Sequence, residues 1–420
     1  MKRRLLLSLL LWSVAQTAFA AELSKDELLR SALSRNPTLK AARARWEAAK
    51  QRVPQARAWD DLMAGVTLER MGTLNPGKVT DTEWMVSQTL PVSGKNLSRA
   101  RASEAEALSA FEEWRRARLE VITRAESAYD RLAAAYGQLE INRSNQELLK
   151  QITEISRGKY EVGTATQSDV LLAQTELDRL SERQALIQKD LSDQETQLNV
   201  LLNLPARTPV AHPRPLAFAP SPLASQNPET LAARCRPEVL AAWRKIEAEK
   251  ARLQLAHRQW IPDPALQIKA REYPGRSGVQ EYDTGITFSV PWTNFRKYSA
   301  GVAEAKANVE SARAEYAAAQ AEASGLVRDQ LQKIDTAAAN YRLFHDRIAP
   351  TARLSVEAAR SGYETDKSSF LELLTAQRTL QDVDSAALAQ LAEHQVATAE
   401  LEAVVGVSKF LGPAPGNTSK

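Results

Sequence analysis

The chain carries one structural unit twice. Asn36-Pro37 aligns with Arg236-Pro237, Glu47 with Glu247 and Leu90-Pro91 with Val290-Pro291, each at an offset of 200. Tyr160-Glu161 aligns with Tyr363-Glu364, and Leu171-Leu172-Ala173-Gln174 with Leu374-Thr375-Ala376-Gln377, at an offset of 203. Matches in the same order along both halves mark an internal duplication of about 170 residues. The 420 residues are therefore two copies of one unit rather than two or three unrelated domains.

Proline placement sets the limits of each copy, because proline cannot donate the helical hydrogen bond. None occurs between Pro91 and Pro205 or between Pro291 and Pro350, while eight of the nineteen crowd from Pro205 to Pro237. The empty stretches read as very long helices and the crowded one as an extended linker. The expected first repeat covers 21–204, with strands near 62–71 and 82–91 and helices over 94–162 and 166–203. A linker over 205–236 leads to a second repeat over 237–408, with strands near 264–273 and 281–291 and helices over 294–364 and 369–405. A tail over 409–420 ends the chain. A helix from Gly94 to Val162 would be about 100 Å long at roughly 1.5 Å per residue, too long for a compact globule. Aromatic residues at only 6%, with abundant Ala, Leu, Glu, Gln and Arg, fit the same mainly α reading with a small β part.

The returning helices carry coiled-coil seams. Val170, Ala173, Leu177, Leu180, Gln184, Ile187, Leu191, Gln194, Leu198 and Leu201 keep strict 3,4 spacing, and so do Leu373, Ala376, Leu380, Val383, Ala387, Gln390, His394, Ala397, Leu401 and Val404. The outgoing helix shows the same spacing at Ile122, Ala125, Tyr129, Leu132, Tyr136 and Leu139. The hairpins have period two instead. Trp84, Val86 and Leu90 alternate with Met85, Ser87 and Thr89, Leu266, Ile268 and Ala270 with Gln267, Lys269 and Arg271, and Ile286, Phe288 and Val290 with Gly285, Thr287 and Ser289. Such alternation fits barrel strands with lipid outside and water inside, and equally one face of a soluble sheet. Gly72 to Gly77 and Gly275 to Gly278 would supply the hairpin loops. Four strands close no barrel, since small barrels need about eight, so the membrane reading implies oligomerisation.

Residues 1–20 read as a secretory signal: Lys2, Arg3 and Arg4 precede an apolar run from Leu5 to Val14, and Ala18-Phe19-Ala20 offers a cut before Ala21. Catalytic signatures are missing from the sequence: there is no phosphate loop, no G-x-S-x-G elbow and no H-E-x-x-H. The scattered His212, His257, His345 and His394 and the lone Cys235 suggest no metal site, and no cofactor is expected. Fifty-five basic residues interleaved with 51 acidic ones argue against nucleic acid as a partner. Asp169 and Glu372 stand at equivalent positions opening the returning helices. Each is explained by the favourable helix macrodipole. In an oligomer, symmetry would instead gather copies into a carboxylate ring that attracts cations.

These motifs resemble the TolC-like outer-membrane efflux factors of Gram-negative bacteria. The likeness covers the duplicated helix–hairpin–helix unit, Thr89-Leu90-Pro91-Val92-Ser93-Gly94, and the two turn segments from Tyr160 to Gln174 and Tyr363 to Gln377. The resemblance implies a homotrimer with four strands per protomer in a shared 12-stranded transmembrane β-barrel, embedded in outer-membrane lipid, above a trimeric periplasmic α-barrel. It implies a periplasmic adaptor and an inner-membrane RND-type pump as partners. It also implies a periplasmic constriction at Glu372, with Asp169 as its equivalent in the first repeat and Thr375 where the family has a second acid. The tips that meet the adaptor would be Val162, Gly163 and Thr164, and Thr365, Asp366 and Lys367. Length and layout lean to the heavy-metal CzcC/CusC-type branch, and so to metal cations as cargo. A duct for type I protein secretion and a structural periplasmic or surface coiled-coil fibre are the competing readings; in none of the three is the chain an enzyme.

Overall fold

The computed structural model describes residues 23–70 and 79–411. The expected signal over 1–20, the loop from Gly72 to Gly77 and the last residues of the tail lie outside them. The elements in order are α1 (Lys25–Arg35), α2 (Pro37–Arg57), β1 (Met63–Arg70), β2 (Val79–Thr89), α3 (Lys95–Glu161), α4 (Gln167–Leu201), α5 (Pro228–Cys235), α6 (Pro237–Arg258), β3 (Ala265–Glu272), β4 (Glu281–Thr287), α7 (Phe295–Arg342), α8 (Ala349–Glu364) and α9 (Phe370–Val405). A 3₁₀ turn, Pro291–Asn294, precedes α7. Two compact units form, and both cut across the repeats: one takes the described residues up to Lys40, Arg116–Arg236 and the described residues from Ala323 on, the other those of Ala41–Arg115 and Pro237–Glu322.

The second of these units holds the sheet, in the order β1-β2-β3-β4, antiparallel throughout. Its central pair joins β2 of one repeat to β3 of the other. The register stacks Val66, Trp84, Ala270 and Tyr282 in one row, with Ala64, Val86 and Ile268 in the next. These large apolar side chains are exposed; Trp84 is 50% and Tyr282 72% accessible. The other face is ionic. Glu83 accepts from Lys269 Nζ and from Arg271 Nη2, both at 2.9 Å, and Gln267 donates to Met85 Sδ at 3.0 Å. The Leu90-to-Gly94 motif closes the sheet onto helix. Leu90 N–H donates to Pro264 O at 2.8 Å, and Ser93 donates through its N–H and hydroxyl to the two Asp263 oxygens at 2.8 and 2.9 Å. Lys95 Nζ joins Asp263 at 2.9 Å. Arg258 donates to Ser93 O across Gly94, where a Cβ would stand 2.1 Å from Arg258 Nη1 and where φ is +67°. The glycine is required on both counts.

The other unit is helical. Ala128, Tyr129, Leu132 and Leu139 of α3 meet Leu191 and Leu198 of α4 in one cluster, and Leu149 and Ile152 meet Ala173, Leu180, Phe370, Leu373 and Leu374 in another. Helix α9 buries more than the seam read from its sequence. Leu374, Gln377, Gln381, Leu391 and Ala399 are buried as well, because α9 packs on α8, α5 and α4 rather than on one partner. The helix expected over 294–364 is interrupted. Pro350 has no N–H for the carbonyl of Asp346, and the chain inserts a π-helical turn over Leu343–Ile348, with Ala349 N–H bonding Phe344 O. The linker is not wholly extended either, since Asn227 in a left-handed conformation starts α5 with Pro228 at its first turn, where a missing N–H is harmless. Phe218 of the linker stacks on Tyr341, ring centroids 5.4 Å apart, and on His394 at 4.8 Å.

The duplication reaches the helix ends. Asn203 and Gly406, 203 residues apart, both take positive φ, 53° and 81°. The next N–H bonds back five residues in each case, Leu204 to Asn199 O at 2.8 Å and Val407 to Glu402 O at 3.1 Å. Only Gly406 is crowded: its Cβ would lie 2.5 Å from Cys235 O. Gly406→Ala is therefore expected to lower unfolding stability by about 1–3 kcal/mol, read by circular dichroism in denaturant, while Asn203→Ala costs less.

Lys25 donates to the buried Asp130 at 2.8 Å, near Glu126 and Glu402. Burial pushes the Glu126 carboxyl up to about 7; Lys25 opposes this, while Glu402 and Asp130 add repulsion. The folded chain thus holds this proton more tightly than an unfolded one titrating near 4.5. The site is harmless below that value and destabilises as pH rises through about 7. Glu126→Gln should raise stability by about 1–3 kcal/mol at about pH 8 and change it little at about pH 4.

Candidate functional site

The two turns that end the outgoing helices have the same geometry. After α3, Gly163 sits at φ 81°; its N–H bonds Tyr160 O at 3.0 Å and Thr164 N–H bonds Lys159 O at 2.8 Å. After α8, Asp366 sits at φ 60°, and Lys367 N–H bonds Gly362 O at 2.7 Å. Both are left-handed C-terminal closures. Val162, Thr164, Thr365, Asp366 and Lys367 are all exposed, leaving both turns open to a partner.

Each returning helix then opens with a capping box. Asp169 N–H donates to Thr166 Oγ1 at 3.3 Å, and Thr166 N–H donates to Asp169 Oδ2 at 3.1 Å. Glu372 N–H donates to Ser369 Oγ at 3.2 Å, and Ser369 N–H to Glu372 Oε2 at 3.1 Å. Both carboxylates thus satisfy orphan helix N–H groups. Within one chain they bond their own caps and not each other. Glu372 and Thr375 are exposed and line a groove of about 410 Å³ with Ala352, Ser355, Leu371, Ala376 and Thr379. Thr375 spends its hydroxyl hydrogen on Leu371 O at 2.7 Å.

What joins the turns is a residue that sequence reasoning missed. Lys159, near the end of α3, donates to Tyr363 O and to Asp366 Oδ1, each at 2.5 Å, and its Nζ lies 4.8 Å from the Tyr363 ring centroid. The Tyr363 hydroxyl meets Ser156 Oγ at 3.0 Å, and its ring meets Phe370 edge-on at 5.7 Å. Gln377 bonds Asn145, and Arg378 bonds Glu176, further along the same helices. The signal was an asymmetry: at the position equivalent to Lys159 the second repeat has Gly362. One copy thus supplies a cation that the other receives. Among the described residues no group of three or more His, Cys, Asp or Glu is placed to hold a metal.

Lys159→Met, which keeps the stem and removes the charge, should free the second turn. Hydrogen exchange at Thr365 to Ser368 is expected to rise on the order of tenfold, about 1.4 kcal/mol for losing the charge-assisted bonds to Tyr363 O and Asp366, with the amides of Thr164 and Ala165 changing less.

The chain matches the model of the family described as "Outer membrane efflux protein" over residues 28–204 and 230–407. It is 26% identical over 325 residues to the toluene efflux pump outer membrane protein TtgF of Pseudomonas putida, a match covering 71% of this chain and 63% of that relative. The fold is that of the outer-membrane channel OprN, with a TM-score of 0.81 at 20% identity over 91% of this chain and 89% of that one. It is equally that of CusC, with a TM-score of 0.81 at 18% identity over 93% and 94%. Equal scores favour no branch over another.

Proposed function

The chain belongs to the outer membrane efflux protein family, and from that premise we propose that it is the outer-membrane exit duct of a tripartite efflux system. The observation that carries this reading is the sheet. One face exposes Val66, Trp84, Val86, Ile268, Tyr282 and Ile286, while the other is an ion-paired surface around Glu83. In water such a face would aggregate; against lipid it is stable. Strands β1 and β4 each have one unpaired edge among the described residues, and an unpaired edge is not tolerated in a bilayer. Three chains joined edge to edge make a closed barrel of twelve strands, the homotrimer expected from the resemblance. Among the described residues no helix is long and apolar enough to span, so the barrel is the part that crosses.

The long helices then serve as the periplasmic wall, and their exposed turns at 162–164 and 365–367 as the contact for a periplasmic adaptor. An inner-membrane pump supplies the energy and chooses the cargo, and the duct performs no chemistry of its own. Opening requires the turns to move, and the Lys159–Asp366 pair is one of the bonds within the chain that resist it, with Lys159 to Tyr363 O and Arg378 to Glu176.

Planar bilayers test both parts. The purified protein should run as a heat-modifiable trimer and conduct; recovery as a soluble periplasmic protein would sink the duct. In the same bilayers Lys159→Met should raise conductance or open probability. Asp169→Asn with Glu372→Gln keeps a cap acceptor at each helix and removes only charge, and it is expected to weaken block by multivalent cations. Unchanged block in that double variant would dispose of the carboxylate ring.

A further inference from the structure

Beside the π turn the linker touches two helices at once. Phe218 lies parallel to Tyr341 of α7 at 5.4 Å and covers His394 of α9 at 4.8 Å. Gln395 of α9 holds the linker there, donating to Ala217 O at 2.8 Å. Tyr341 stacks in turn on His345 of the π turn at 5.2 Å. None of the six residues of that turn is buried, so its own packing holds it weakly. His394 is 1% exposed, and its Nδ1 has no hydrogen-bond partner among the described residues. A charged imidazole carries a proton on each nitrogen, so an Nδ1–H would stand buried without an acceptor. The charged neighbours offer it no relief. Arg342 of α7 already lies over Phe218, its guanidinium carbon 5.3 Å from the ring centroid. His345 is engaged by Asp346 at 2.8 Å, Glu393 of α9 acts on Lys333 of α7, and the linker from Pro215 to Asn227 has no charged residue. Arg353 of α8 and Arg183 of α4 bond Asp384 and Ser385, more than two turns back along α9, and α5 meets α9 at Gly406. Burial first, and Arg342 second, hold His394 below its ordinary value of 6.5.

We propose that Phe218 is a proton-released strap on the π turn: it pins α7 to α9 while His394 is neutral and lifts when His394 takes a proton, leaving the turn free to flex. Lifting the ring lets water reach an imidazolium that the closed strap keeps dry. Released, His394 titrates as an ordinary histidine near 6.5; covered, it titrates lower. Closure therefore has its full strength above about 6.5 and weakens as pH falls below that value, by about tenfold per pH unit until the covered histidine itself takes the proton. A π turn is a natural place for such control, since it interrupts the i→i−4 ladder and such interruptions mark hinges. The first repeat lacks both parts. Leu191 stands at the position of His394, and α3 runs unbroken from Lys95 to Glu161. The strap concerns the helices alone and stands whether or not the barrel reading holds.

The test uses full-length protein in detergent micelles, with a nitroxide on the exposed Ala219→Cys in a Cys235→Ser chain. The label is expected to be immobile at about pH 8 and largely mobile at about pH 5. Amide exchange over Leu343–Ile348, corrected for the intrinsic rate at each pH, should rise in step, on the order of tenfold. Exchange of the His394 C2–H, followed by mass spectrometry across pH, should give a midpoint below 6.5. His394→Phe and His394→Gln should each keep the label immobile throughout, and Phe218→Ala should free it throughout. A label equally immobile at both ends of the range overturns the strap, and so does a His394 midpoint at or above 6.5. His212 and His345 remain in both His394 variants, so a pH response that persists there belongs to them and the strap is overturned. A label that loosens while exchange over the turn stays constant overturns it as well. If either variant fails to fold, the other variant, the line shape and the midpoint of the His394 chain still decide.

Discussion

A strand edge that lacks a partner is the constraint on which the rest depends. Each residue of β1 and β4 brings an N–H and a C=O that must be bonded once water is excluded. The four strands satisfy one another across three interfaces and, among the described residues, leave the outer two edges open. The exposed row through Trp84 and Tyr282 rules out water as the comfortable solvent for that surface. The ion-paired row through Glu83, Lys269 and Arg271 rules out lipid on the other side. A two-solvent sheet with free edges is incomplete as a single chain. The proposed trimer meets every one of those backbone groups with other copies of the chain.

Duplication explains how one gene product makes both the sheet and the long helices. Its physical trace goes down to single torsions: Asn203 and Gly406, Gly163 and Asp366 share left-handed conformations, and Thr166–Asp169 and Ser369–Glu372 share a capping box. The departures from symmetry are where roles divide. Lys159 faces Asp366 with no counterpart in the other direction, and Lys95 pairs with Asp263 where the second repeat has an exposed phenylalanine. A duplicated scaffold holds the geometry, and the differences between copies set which contacts each one makes.

The family match puts the chain in the outer membrane efflux protein family, and its equal likeness to OprN and CusC shows a fold common to both, without choosing a branch. The lean toward metal cargo drawn from length and layout gains nothing from them. That is consistent with a duct, whose wall meets many cargoes and whose fold answers to the membrane and the neighbouring chain.

The sequence by itself determined the local structure. Period two set the faces of the strands and 3,4 spacing the seams at Leu132, Leu198 and Leu401, because these depend on neighbours a few residues away. It also announced the acids at 169 and 372, though not which work they do, since a cap and a ring ask for the same residue. The tertiary structure alone decided what is long-range. It brought Lys159 to Asp366 across 207 residues and Asp263 to Ser93 across 170. It widened the buried arc of α9 by giving that helix more than one partner. It also placed a π turn before Pro350, where a lost hydrogen bond had to be absorbed without ending the helix. Pairings at such separations leave no periodic trace in the chain, so only packing could reveal them.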